Sequence, residues 1–174
     1  GFYFKFARGL LPYQLSCSEF RRFLSSYIYD KRSVYSQTLN LDSIQKQYLM
    51  DLLIENYQPA NREYLYNFLY DNCSTRVRDI IEKSTGNQIT WIAQPSTKSF
   101  WNLLDEYLGR SPWIQWGIHT ILGSPATSTA TLREQMFLPD YLMYRLDSAA
   151  YNGTPLVQPI ETVYEAPEQD LSTP

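Results

Sequence analysis

The stretch Tyr64-Leu65-Tyr66-Asn67-Phe68-Leu69-Tyr70-Asp71-Asn72-Cys73-Ser74-Thr75-Arg76 holds the transition on which the reading of this chain turns. Tyr64, Tyr66 and Phe68 alternate as in a short strand, Asp71-Asn72 breaks the alternation, and helical spacing runs from Cys73 to Lys83 with Gly86 as its stop. This order puts Cys73 in the first turn of a helix. There it faces backbone N–H groups with no partner inside the helix and the positive end of the helix dipole. Both favour a thiolate, the nucleophilic form of cysteine. The same N–H groups suit an oxyanion formed when an acyl group is attacked. Arg76, one turn on, adds positive charge to that face. Asp71 and Asn72 read as turn and cap, and Asn72 also as a group that orients the thiol. A second reading stays open beside this one. Tyr70, Cys73, Val77, Ile80 and Ile81 form one helical stripe, and free cysteine is among the most buried residue types, so the spacing also suits a core position.

Working outward toward the N-terminus, Asp42 caps the clearest helix, Ser43 to Asn56. Ile44, Tyr48 and Leu52 mark its apolar face, Leu49 and Leu53 widen it, and Pro59 lies beyond its end. Ser33 to Leu41 alternates as a strand. Ser18 is placed to cap a helix carrying Phe20, Phe23, Leu24 and Tyr27. Phe2 to Leu11 is an aromatic opening segment, a short helix or an irregular lead-in. Arg8-Gly9 reads as a tight turn that brings a cation toward the site.

Toward the C-terminus, Ile89 to Ala93 suits a short strand and Ser99 to Leu108 a helix. Trp113 to Leu122 reads as a largely buried apolar helix. Gly123 to Thr131 is a loop of small residues. Leu132 to Asp147 is amphipathic, with Pro139 forcing a break. The reading places one domain over residues 1–152. Residues 153–174 follow as a surface strand, Leu156 to Tyr164, and a flexible tail.

The bulk numbers exclude several functions. At 174 residues the chain suits one domain able to bury about two-thirds of its unfolded surface. Its net charge is -3 and no Lys/Arg run exceeds two residues, so the phosphate-neutralising stripe of a nucleic-acid binder is absent. No apolar run is long enough to span a membrane. Two cysteines, Cys17 and Cys73, are no disulfide scaffold, and on composition alone a bond between them stays open in an oxidising compartment; a nucleophilic role for Cys73 implies that none forms. One histidine and no metal-ligand spacing leave neither metal nor cofactor expected. That histidine, His119, lies in an apolar stretch, where a hydrogen-bonded role at a helix edge competes with one as a substitute base.

The block Tyr64 to Phe68 with Asp71-Asn72-Cys73-Ser74-Thr75-Arg76-Val77-Arg78-Asp79 resembles the signature of the Lnb N-terminal periplasmic domain family. Phe4-Lys5-Phe6-Ala7-Arg8-Gly9 with Tyr13, Gln37-Thr38-Leu39-Asn40-Leu41 and Met136-Phe137-Leu138-Pro139 are similar to its flanking segments. The resemblance implies a helix-rich α+β fold, a permuted papain-like domain related to the NlpC-type amidases, in the periplasm or envelope of a Gram-negative bacterium. It is similar to the N-terminal part of a Bacteroidetes lipoprotein N-acyltransferase. On that footing Cys73 is the nucleophile of a cysteine acyltransferase or amidase acting through a thioester on lipoprotein or lipid acyl groups. Asn72 and Arg76 support it, and Arg8, Tyr13 and Tyr66 lie on the substrate side. A membrane-embedded C-terminal domain in the full-length protein is a further expected partner. The family's histidine precedes the Phe-Lys-Phe segment, so the chain reads as a fragment without its N-terminal strands and base, inactive by itself. A non-catalytic envelope binding module on the same scaffold is the alternative.

Overall fold

The computed structural model describes residues 9–108 and 112–167. Strand β1 (Leu11–Gln14) leads to helix α1 (Phe20–Tyr29), strand β2 (Val34–Ser36) and helix α2 (Ser43–Tyr57). Then come β3 (Glu63–Tyr66), α3 (Cys73–Ser84), β4 (Ile89–Thr90) and α4 (Phe100–Asp105). Helix α5 (Pro112–Leu122), a 3-10 turn (Ser124–Thr127), α6 (Leu132–Gln135) and α7 (Pro139–Ser148) follow, and β5 (Ala150–Tyr151), β6 (Thr154–Pro155) and β7 (Glu161–Tyr164) close the fold. The class is α+β, as expected, with small antiparallel sheets rather than one continuous sheet.

The helix starts follow from local hydrogen bonding. Helices α2, α3, α4 and α6 each begin on a capping box, with Asp42, Asn72, Ser99 and Thr131 as caps and Gln45, Thr75, Asn102 and Glu134 reaching back. Each box satisfies two otherwise unpaired N–H groups, and a good cap is worth about 1 kcal/mol. Pro139 opens α7 at its first turn, so the expected break falls between α6 and α7. Ser18 does not cap α1. Glu19 takes that position without a side-chain bond, and α1 buries none of its residues.

The strands pair over long sequence distances. β1 runs antiparallel to β3, with Tyr13 opposite Tyr64 and Leu11 opposite Tyr66. β2 pairs with β7, and Leu39 bridges Val157. Asn40 N donates to the Leu156 carbonyl and Gln158 N to the Thr38 carbonyl, both at 2.8 Å. These contacts pack the segment after Gly153 against the earlier chain. Leu156 is 0% exposed and packs with Val157, Leu41, Ile81, Leu142 and Leu146. Residues 153–164 therefore belong to the same body as the preceding chain, while 168–174, the end of the expected tail, lie outside the described residues.

A second core gathers Leu69, Phe100, Leu103, Leu104, Ala126, Ala130, Phe137 and Leu138. Met136 belongs to the first core and Phe137 to the second, so the turn between α6 and α7 joins the two. Two burial expectations are corrected. α2 turns Gln45 inward and leaves Ile44 81% exposed, with Tyr48 and Leu53 also exposed. α5 is a helix, but its Trp113 is 84% exposed and Trp116 also faces solvent. Apolar residues occupy several sides of α2, so periodicity alone does not say which side packs.

Candidate active site

The cysteine is presented by a turn that leaves little freedom. Asn67 and Asp71 exchange backbone hydrogen bonds at 2.9 Å in both directions. Asn67 Oδ1 also accepts from the N–H groups of Leu69 and Tyr70. The loop wraps around this side chain and drops Leu69 into the second core. Gly9 sits against Asn67 with φ +65, a conformation that favours glycine, and a side chain there would meet Asn67 and the Tyr66 carbonyl.

Asn72 then anchors the helix start. It is 3% exposed. Its Oδ1 accepts from Thr75 N at 3.0 Å, and its N–H donates to Thr75 Oγ1 at 2.8 Å. Its Nδ2 donates to the carbonyls of Phe68 and Phe137, both at 2.8 Å. The oxygen caps the helix and both amide protons are used, so the buried amide is fully satisfied.

Cys73 follows as the first residue of α3 and is exposed and free, as is Cys17 in the loop before α1. The core reading of Cys73 is thereby overturned. Tyr70 and Val77 share its outward side, while Ser74, Thr75, Arg78 and Ile81 face inward. The Cys73 thiol stands at a groove of ≈ 520 Å³. Val77 lines it from α3, Phe23 from α1, Tyr35 from β2, and Pro139, Leu142, Met143 and Leu146 from α7. Gln37 Nε2 donates to the Met143 carbonyl at 3.2 Å, tying the end of β2 to α7.

A cluster of tyrosines, Tyr13, Tyr64 and Tyr66, lies within electrostatic reach of the thiol. The Tyr13 ring stacks on Tyr66 at 4.4 Å between centroids. Burial first, and then the nearby charge of Cys73, pushes the Tyr66 hydroxyl above the ordinary tyrosine range, so it stays protonated. Arg76 is already engaged. Its Nε and Nη2 reach the two carboxylate oxygens of Asp71 at 2.7 and 2.9 Å, and its guanidinium lies 3.6 Å over the Tyr64 ring. Arg76 thus straps α3 to β3, and any positive charge it lends Cys73 is shared with Asp71.

The remaining expected residues fall elsewhere. His119 stacks on Trp101 at 4.4 Å, with Nε2 3.1 Å from Asp105 Oδ1 but off the line of a hydrogen bond. Neither Trp101 nor Asp105 lines the Cys73 groove. Arg8 lies outside the described residues. Among the described residues no group of three or more His, Cys, Asp or Glu is placed to hold a metal ion, and no helix is long and apolar enough to cross a membrane. The groove walls Phe23, Tyr35, Leu142 and Met143 were missed as site residues. The α7 pair carried a signal in its helical spacing with Pro139 and Leu146, but what stands opposite that face is decided by distant segments.

The fold and site define an α+β domain that presents a free cysteine on the first turn of a helix, at the edge of an apolar groove. The chain belongs to the Lnb N-terminal periplasmic domain family, whose model matches residues 1–106. That span runs from β1 through α4 and contains the whole Cys73 turn. It is a periplasmic domain. No curated protein and no solved structure matches the chain.

Proposed function

We propose that Cys73 is the thiol nucleophile of a cell-envelope acyltransferase or amidase on a papain-like scaffold, acting on the acyl groups of a lipoprotein or lipid. The observation that carries this reading is an exposed thiol at a rigidly capped helix start, opening onto an apolar groove. A merely structural cysteine has no need of either.

In the proposed reaction the Cys73 sulfur attacks the acyl carbonyl carbon. A C–S bond forms, the ester C–O or amide C–N bond breaks, and the leaving oxygen or nitrogen takes the proton given up by the thiol. An amine, or water in hydrolysis, then attacks the thioester and the thiol is restored. Backbone N–H groups at the start of α3 are the oxyanion donors. The base implied by the family resemblance is a histidine preceding the Phe4-Lys5-Phe6 segment.

Treatment with a p-nitrophenyl ester of a medium-chain fatty acid tests this. Peptide mass spectrometry is expected to find the acyl adduct on Cys73 and far less on Cys17, which is equally free and exposed. Equal labelling of the two thiols would overturn the reading. It would favour a non-catalytic binding module, for which the apolar side chains exposed on α2 and α5 speak.

A further inference from the structure

A second cleft opens on the opposite side of α7. Pro139, Leu142, Met143 and Leu146 line the Cys73 groove, whereas Asp140, Tyr141, Tyr144 and Arg145 line this one. One amphipathic helix therefore divides an apolar groove from a cleft of mixed polar and apolar lining, ≈ 810 Å³ in volume. The facing wall is the segment before α4 and the end of α4, which contribute Lys98, Glu106 and Tyr107.

The walls are cross-linked before any ligand arrives. Lys98 Nζ donates to Glu106 Oε1 at 2.6 Å and to the Tyr141 hydroxyl at 2.9 Å, and that hydroxyl donates to Glu106 Oε2 at 2.8 Å. Three segments are joined by these bonds. Arg145 Nη1 donates to the Ile92 carbonyl at 3.0 Å, tying α7 to the segment after β4. The cleft's shape does not await a partner, which lowers the cost of ordering it on binding.

The chemistry of the walls selects the ligand. Two carboxylates, Glu106 and Asp140, offset two cations, Lys98 and Arg145. A phosphate entering here meets both carboxylates, and a divalent cation meets both cations. A neutral ligand meets neither penalty. The polar groups can donate to and accept from hydroxyls, and Tyr144, 62% exposed, offers a ring face to C–H groups. Clefts that combine aromatic faces with a few fixed polar groups are the usual form of a small-molecule site.

We propose that this cleft is a binding site for a neutral saccharide, its ring against Tyr144 and its hydroxyls on Asp140, Glu106 and Arg145. The assignment does not rest on the role of Cys73.

The test is calorimetric titration of the 174-residue chain with maltotriose and with the trimer of N-acetylglucosamine, with inorganic phosphate as the anionic probe. At least one trisaccharide is expected to bind with a dissociation constant on the order of 1 mM or tighter. Tyr144→Ala and Asp140→Asn are each expected to weaken it about tenfold. Both positions are exposed, so circular dichroism should report an unchanged fold for both. The Cys73→Ser chain is expected to bind as the parent does, which separates this proposal from the catalytic one. Absence of binding by both trisaccharides, binding untouched by either substitution, or phosphate binding in their place would overturn it.

Discussion

The side-chain amide of Asn72 donates to the carbonyl oxygen of Phe137 at 2.8 Å. This bond ties the turn that presents Cys73 to the turn joining the two cores. Asn72→Ala removes the cap of α3 and takes the amide donor from the buried Phe137 carbonyl, a loss of about 2–4 kcal/mol. Asn72→Asp restores a cap but points a carboxylate oxygen at the carbonyls of Phe68 and Phe137, so it is also expected to destabilise. Urea denaturation checks both, and an aspartate variant as stable as the parent would contradict the assignment of the two donors.

Cys73 faces solvent, so Cys73→Ser is expected to change stability by less than about 1 kcal/mol. The same substitution is expected to abolish acylation, because a hydroxyl stays protonated where a thiol can ionise. Melting curves beside the acyl-adduct assay distinguish this from a core role, in which stability falls and labelling does not depend on position 73.

Val77 lies one turn beyond Cys73 and lines the groove. A larger side chain there should narrow the groove without disturbing the core, since Val77 is exposed. For Val77→Phe, acylation by long-chain esters is expected to fall about tenfold relative to acetyl esters. An unchanged chain-length preference would show that the groove does not receive the acyl chain.

Arg76 and Asp71 form a bidentate pair that is about two-fifths exposed on each side. Solvent screens such pairs, so a double-mutant cycle is expected to give a coupling of about 0.5–1 kcal/mol. Arg76→Lys should not restore it, because an ammonium matches neither the two-oxygen geometry nor the flat stack on Tyr64. Denaturation of the single and double variants reads the coupling directly.

Burial alone would push the Glu106 carboxyl up, but hydrogen bonds from Lys98 and Tyr141 outweigh it and hold the group below its ordinary range. A carboxyl held low in the folded state binds fewer protons than it does in the unfolded chain at the same acid pH. Its contribution is therefore present at neutral pH and lost as pH falls through the folded value, on the acid side of the ordinary glutamate range. Glu106 is substantially exposed, so the effect is small, below about 1 kcal/mol. The melting-temperature difference between the parent and Glu106→Gln is expected to shrink toward acid pH, and a difference that widens there would contradict the pairing.

The features legible from the sequence alone are those carried by a few consecutive residues. The starts of α2, α3 and α4, the break at Pro139 and the place of Cys73 in a first helical turn all depend on caps, or on a missing N–H, within about one turn of chain. The tertiary structure alone decided which side of each helix faces out, and so that Cys73 is a surface thiol rather than a core one. Tyr70, Cys73, Val77 and Ile81 look like one stripe in sequence, yet only Ile81 of these is buried, because it packs in the first core with Met136 and Leu156, while Tyr70 meets the edge of Phe100 and Cys73 and Val77 border the open groove. The groove was equally invisible, since it is assembled from Phe23, Tyr35, Val77 and Leu142 on separate elements. Burial is a property of what a side chain meets across the fold, and those partners lie far along the chain, beyond the reach of any local pattern.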